Sequence, residues 1–130
     1  MILDGDGAAN IIQQDSLAEW SDIDLIINQT CKQTTQTYRE YFDIVLTNPP
    51  FGTQGKIISD TQLKNFDLGH RWLPNGDGWI KTSELANGQT PEILFIERCL
   101  SFLKPGGKLA IVLPNGSFGC STEIWAILGV

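Results

Sequence analysis

Long hydrophobic runs are missing from this 130-residue chain. The longest apolar stretches, such as Leu109 to Leu113, fall far short of the roughly 20 residues that a bilayer-spanning helix needs. The start, Met1-Ile2-Leu3-Asp4, has neither the basic n-region nor the long apolar h-region of a signal peptide, so a cytoplasmic location is expected. Histidine occurs once, at His70, and Cys31, Cys99 and Cys120 are spaced in no metal-ligand pattern. Neither a metal site nor a disulfide framework is expected. Positive charge is also scarce. Nine Lys and Arg stand against fifteen Asp and Glu, for a net charge of −6. A protein that holds DNA by its phosphates needs basic side chains to displace condensed counterions. If the substrate is DNA, most of the grip must come from outside this chain.

What is present suits one small α/β domain. Phe42 to Thr47 is short, apolar, partly β-branched and closed by Pro49-Pro50. Lys108 to Leu113 is similar and is closed by Pro114-Asn115-Gly116. Continuous apolar runs of this kind suit parallel strands covered on both faces. Between them lies a helix pattern. Thr90 serves as N-cap, Pro91 sits at the first helical position, and Glu92 complements the positive helix end. Ile93, Ile96, Leu100 and Leu103 form the apolar stripe. Lys104 complements the other end, and Pro105-Gly106-Gly107 stops the helix. Strand, helix and strand make a βαβ unit.

Other segments carry weaker signals. Asn10 to Gln13 reads as a short strand ending near Asp15, Leu25-Ile26-Ile27 as a strand or a helical turn, and Lys32 to Tyr41 as a polar helix. Residues 52–89 read as a long, Gly-rich connection with Trp72, Trp79 and Asn75-Gly76. Such a length points either to a plain loop or to an active-site flank that touches the substrate strand.

The sharpest local pattern is Thr47-Asn48-Pro49-Pro50-Phe51-Gly52 at a strand end. Ligands of open α/β sheets bind outside the carboxyl ends of strands. Two prolines fix φ and remove two N–H donors, leaving a stiff corner rich in carbonyl acceptors. The Asn48 side-chain oxygen and the Pro49 carbonyl can accept both hydrogens of a planar amine. That draws the nitrogen toward a tetrahedral shape and frees its lone pair to attack. Phe51 offers a ring face worth about 1–3 kcal/mol of stacking, which helps offset the few kcal/mol of extruding a base from duplex. The plain alternative is a strand-ending Pro-Pro turn beside a core phenylalanine.

Asp43 to Gly52 resembles the amino-group motif of methyltransferases that use S-adenosylmethionine. Gln89 to Lys108 resembles the helix that follows it, and Ala110 to Gly116 resembles the next strand. Phe66-Asp67-Leu68-Gly69-His70-Arg71-Trp72 is similar to a linker of Type I modification subunits. The pattern, strongest over residues 43–119, resembles the γ-type DNA adenine-N6 methyltransferases of restriction–modification systems. The resemblance implies part of a Rossmann-like α/β methyltransferase fold, mostly parallel, with flanking helices but lacking the first strands. It assigns Asn48, Pro49, Pro50 and Phe51 to the target amine and base. Asp15 would accept a hydrogen bond from the adenine amine of S-adenosylmethionine, and Phe95 would pack near that adenine. For Asp15 the bland alternative is a helix N-cap before Leu17, and for Phe95 a core aromatic.

The family's glycine-rich cofactor loop and ribose-binding acid have no counterpart in residues 1–130, and Ser121 to Val130 drifts from the pattern. The chain is therefore expected to be a partial catalytic domain that binds the cofactor poorly and is inactive alone. Implied partners are double-stranded DNA, a specificity subunit and an endonuclease subunit. Two other readings remain open: a non-catalytic truncated remnant, or methylation of RNA guanine or protein glutamine by the same corner.

Overall fold

The computed structural model describes residues 11–32, 35–49, 59–87, 89–113 and 127. Its elements are, in order, α1 (Trp20–Cys31), β1 (Phe42–Thr47), α2 (Asp60–Leu63), β2 (His70–Asn75), β3 (Gly78–Leu85), α3 (Pro91–Phe102) and β4 (Leu103–Ile111). The strands form two pairs: β1 with β4, parallel, and β2 with β3, antiparallel. The result is a mixed α/β fold with helices flanking a parallel pair.

The expected βαβ arrangement forms, with a longer second strand. β1 has the predicted bounds, and α3 starts at Pro91 after Thr90, although the Thr90 side chain makes no capping bond. The helix ends at Phe102, and Leu103 is already paired with Phe42. The ladder resumes at Ile44 with Lys108, so the residues between Leu103 and Lys108 bulge out. Pro105-Gly106-Gly107 thus lies in an irregularity of β4 rather than simply past a helix. Lys104 reaches the Asp43 carboxylate of β1 at 3.0 Å instead of the helix end. That pair is exposed and contributes at most about 1 kcal/mol.

Both faces of the parallel pair were expected to be covered, but among the described residues one is open. Ile44 is 59 % exposed and Leu46 75 %, because no described element packs on that side. Burial is concentrated elsewhere. Leu17, Leu63, Phe66, Leu68, Ile93 and Leu94 form the core, with Phe95 and Leu85 against it. Helix α3 supplies its centre: Leu94 has no exposure and Ile96 only 2 %.

The N-terminal segments also depart from their patterns. Residues 11–15 form no strand, and Leu25-Ile26-Ile27 lies inside α1. No helix forms among the described residues of 32–41. Side chains of α1 hold that stretch instead. Asn28 exchanges two hydrogen bonds with the Gln36 backbone, at 2.7 and 3.2 Å, and Asp24 accepts the Tyr38 N–H at 2.9 Å.

The connection after the Pro-Pro corner contains regular structure from Asp60 onward. Helix α2 is a single turn with a reciprocal capping box between Ser59 and Gln62. The β2–β3 hairpin turns at Gly76-Asp77, with Gly76 at φ 60 in the first central position, as a II′ turn requires. Gly69, just before the hairpin, lies hard against α2. A Cβ there would collide with the Leu63 carbonyl, 2.7 Å from its carbon. Overpacking against backbone cannot be relieved by a rotamer change, so Gly69→Ala should cost about 2 kcal/mol or more. Urea unfolding should show a lower midpoint with an unchanged slope, and an unchanged midpoint would refute the packing described.

Candidate functional site

The Asn-Pro corner stands at the carboxyl end of the parallel pair. The Thr47 carbonyl accepts the Val112 N–H at 3.1 Å, so β1 and β4 end side by side. Immediately beyond, Asn48 is exposed and Pro49 is buried. The proline ring therefore seats the corner while the amide faces solvent, with no hydrogen bond to any described residue. Pro50 and Phe51 lie outside the described residues.

Asp15 is exposed and organises a turn ahead of α1. Its Oδ1 accepts the Leu17 N–H at 2.9 Å, and its backbone carbonyl accepts the Ala18 N–H at 3.1 Å. Helix α1 begins only at Trp20, so Asp15 is not its N-cap. Oδ2 accepts Gln62 Nε2 at 3.2 Å. Phe95 is half-buried and packs against the core cluster that contains Leu17. Asp15 and Phe95 are thus joined through the Leu17 core. Among the described residues, no hydrogen bond links either of them to Asn48.

Two neighbouring charges on α3 hold this neighbourhood in place, and the sequence patterns did not single them out. Glu97 receives the Asp67 and Leu68 N–H groups, each at 2.7 Å. Burial pushes its carboxyl above the usual range, and the two amides oppose that shift. Arg98 is only 2 % exposed. Its Nη2 donates to the Ala18 carbonyl at 2.6 Å. Its guanidinium lies 4.4 Å from the Trp20 ring centre and 4.8 Å from that of Phe66. Burial lowers its pKa to about 10, so it stays protonated at neutral pH, and Glu97 and Asp15 both favour that charge. Among the described residues, Arg98 Nε has no hydrogen-bond partner.

These contributions nearly offset one another. Desolvating a guanidinium costs several kcal/mol. The charged hydrogen bond returns about 1.5–3 kcal/mol, and each ring contact about 0.5–2. Arg98 therefore fixes geometry more than it adds stability. One clue was visible in the sequence: Arg98 follows Leu94 by four residues and so shares its buried side of the helix. Its two aromatic partners are distant in sequence and could not be read locally.

A groove of about 440 Å³ opens along the hairpin, with His70, Arg71, Trp72, Trp79, Asn87 and Gln89 in its wall. Trp72 pairs with Lys81 and Pro74 with Trp79, so both indoles lie on the same face, one diagonal apart. Trp72 Nε1 donates to the Asp67 carbonyl at 2.9 Å. Arg71 and Lys81 are engaged by Glu84 and Asp67 at 3.0 and 2.6 Å. Among the described residues no cluster of acidic, His and Cys side chains could hold a metal. No described helix is long and apolar enough to cross a membrane. The Cys99 thiol is buried and pushed up to about 11, so it is inert at neutral pH.

A parallel strand pair with flanking helices, ending in an Asn-Pro corner, fits an α/β methyltransferase fold. A family model described as N-6 DNA methylase matches residues 8–124, and the chain belongs to that family. Neither curated proteins nor solved structures yield a match.

Removing the Glu97 carboxylate strands two backbone amides. Glu97→Ala should lower stability by about 2–3 kcal/mol and speed amide exchange at Asp67 and Leu68. Native exchange at both amides would show that the carboxylate does not hold this turn.

Proposed function

We propose that this chain is part of a catalytic domain that methylates N6 of adenine in double-stranded DNA, with S-adenosylmethionine as cofactor, within a restriction–modification complex. The observation that carries the proposal is the exposed Asn48 amide beside the buried Pro49, at the carboxyl end of a parallel strand, in a chain of the N-6 DNA methylase family.

Asn48 offers its side-chain oxygen, and Pro49 its backbone carbonyl, to the two hydrogens of the flipped-out adenine amine. Paired acceptors draw the nitrogen out of conjugation with the ring and free its lone pair. Pro50 stiffens the corner, and Phe51 stacks on the base. No strong base is needed, because the amine proton leaves to water after the new N–C bond forms. S-adenosylmethionine, when bound, supplies an electrophilic methyl group on a sulfonium.

The residues described fit the adenine end of that cofactor. A carboxylate has about four acceptor positions, and the bonds from Leu17 and Gln62 leave Asp15 able to receive an adenine amine. Phe95, packed on the Leu17 core, would flank the ring.

The DNA grip follows from charge. With a net charge of −6, and with Arg71, Lys81 and Lys104 held in ion pairs, this chain is poorly equipped to neutralise phosphates. A separate specificity subunit would supply most of that grip and the sequence readout, with an endonuclease subunit as a further partner. The contribution of this chain would be stacking by Trp72 and Trp79 on the substrate strand.

Asn48→Ala should cut methyl transfer to duplex DNA on the order of 100-fold, the scale of losing one positioned polar contact to the reacting group, and Phe51→Ala on the order of 10- to 100-fold, the scale of about 1–3 kcal/mol of lost stacking. The assay is tritium transfer by a catalytic subunit that contains this chain, in the presence of a specificity subunit, with cofactor affinity measured in parallel and expected to be unchanged. Normal turnover in both variants would count against the roles given to the corner.

A further inference from the structure

We propose that Arg98 is a positioning residue: it sets the Asp15 carboxylate to receive the 6-amino group of an adenine ring, giving the cofactor site its preference for adenine over a purine with oxygen at that position. This rests on the reading of Asp15 above and adds a residue eighty positions away from Ala18, whose carbonyl it bonds.

The turn from Asp15 to Ala18 belongs to no helix or strand, so no ladder fixes it. Three hydrogen bonds, one from the guanidinium and two within the turn, tie it to α3 and hold the carboxylate instead. Arg98 Nη2 donates to the Ala18 carbonyl at 2.6 Å. The Ala18 N–H donates to the Asp15 carbonyl at 3.1 Å. The Leu17 N–H donates to Asp15 Oδ1 at 2.9 Å. The anchor has little freedom of its own, because the Trp20 and Phe66 rings flank it at 4.4 and 4.8 Å. Gln62 steadies the other carboxylate oxygen at 3.2 Å. An exposed carboxylate held in this way is preorganised, and the cost of ordering it is already met before a ligand arrives.

Adenine presents an amine donor at position 6, whereas hypoxanthine presents a carbonyl acceptor that a carboxylate repels. A fixed carboxylate separates the two. A wandering one can turn aside and does so less well.

The probes are adenosine and inosine, each titrated to millimolar concentration into the isotope-labelled full chain and followed by amide chemical shifts. The native chain should prefer adenosine by about fivefold or more, the scale of one hydrogen bond made or refused. Asp15→Ala should abolish the preference. Arg98→Met should reduce it to below about twofold, with little change in thermal midpoint, since the buried charge adds little net stability. The double variant should be no worse than Asp15→Ala alone, as residues acting in series require. If Arg98→Met does not fold, Arg98→Gln, shorter and neutral, serves the same comparison. A folded Arg98 variant with full native preference overturns the proposal. A native chain without preference, or one whose preference survives Asp15→Ala, instead removes the reading of Asp15, and the positioning role with it.

Discussion

A buried cation ties distant parts of this fold together. Arg98 projects from α3 into a slot between Trp20 and Phe66 and hydrogen-bonds the Ala18 carbonyl. It thereby joins the turn before α1, the segment before the hairpin, and the helix between the two parallel strands. Glu97, its neighbour, fastens the backbone at Asp67 and Leu68. Two adjacent charges on one helix thus hold two irregular segments against the core, where apolar packing alone is non-directional. A charge without hydrogen bonds at that depth would be costly. The arrangement is tolerable because rings, a carbonyl and nearby carboxylates share the burden.

Chemistry and framework meet where rigidity is cheapest. The corner at Asn48 and Pro49 inherits its position from the β1–β4 ladder, and the Pro49 ring is buried. The amide beside it is left open to solvent. A site of the proposed design would rely on placing acceptors rather than on shifting an acid or base. The acid-rich composition agrees with a division of labour in which phosphate contacts belong to a partner.

Much of the fold was legible because it is local. The β1 bounds, the start of α3 at Pro91 and the parallel relation follow from short apolar runs, a proline at the first helical turn and a Gly-rich exit. Three features were not legible. The hairpin at residues 70–85 was hidden because its strands mix polar and apolar residues. The segment around Leu25 carried too short a pattern to reveal twelve residues of helix. Arg98 and Gln62 act on partners far away in sequence, which no window can display. At the site, Asn48 and Pro49 stand where a strand-end motif should place them. Asp15 turned out to organise a turn that ends before the helix, and Phe95 to lie at the edge of the core. Pro50 and Phe51 fall outside the described residues.

The central claim is that a proline corner presents oxygen acceptors to the amine of an extruded adenine in DNA. The most direct measurement is mass-spectrometric analysis of nucleosides and protein from cells lacking other adenine methyltransferases, in which a catalytic subunit that contains this chain is expressed with a specificity subunit. The account predicts N6-methyldeoxyadenosine in the DNA, and no new methylguanosine in RNA or methylglutamine in protein. Unmodified DNA alongside newly methylated RNA or protein would contradict it.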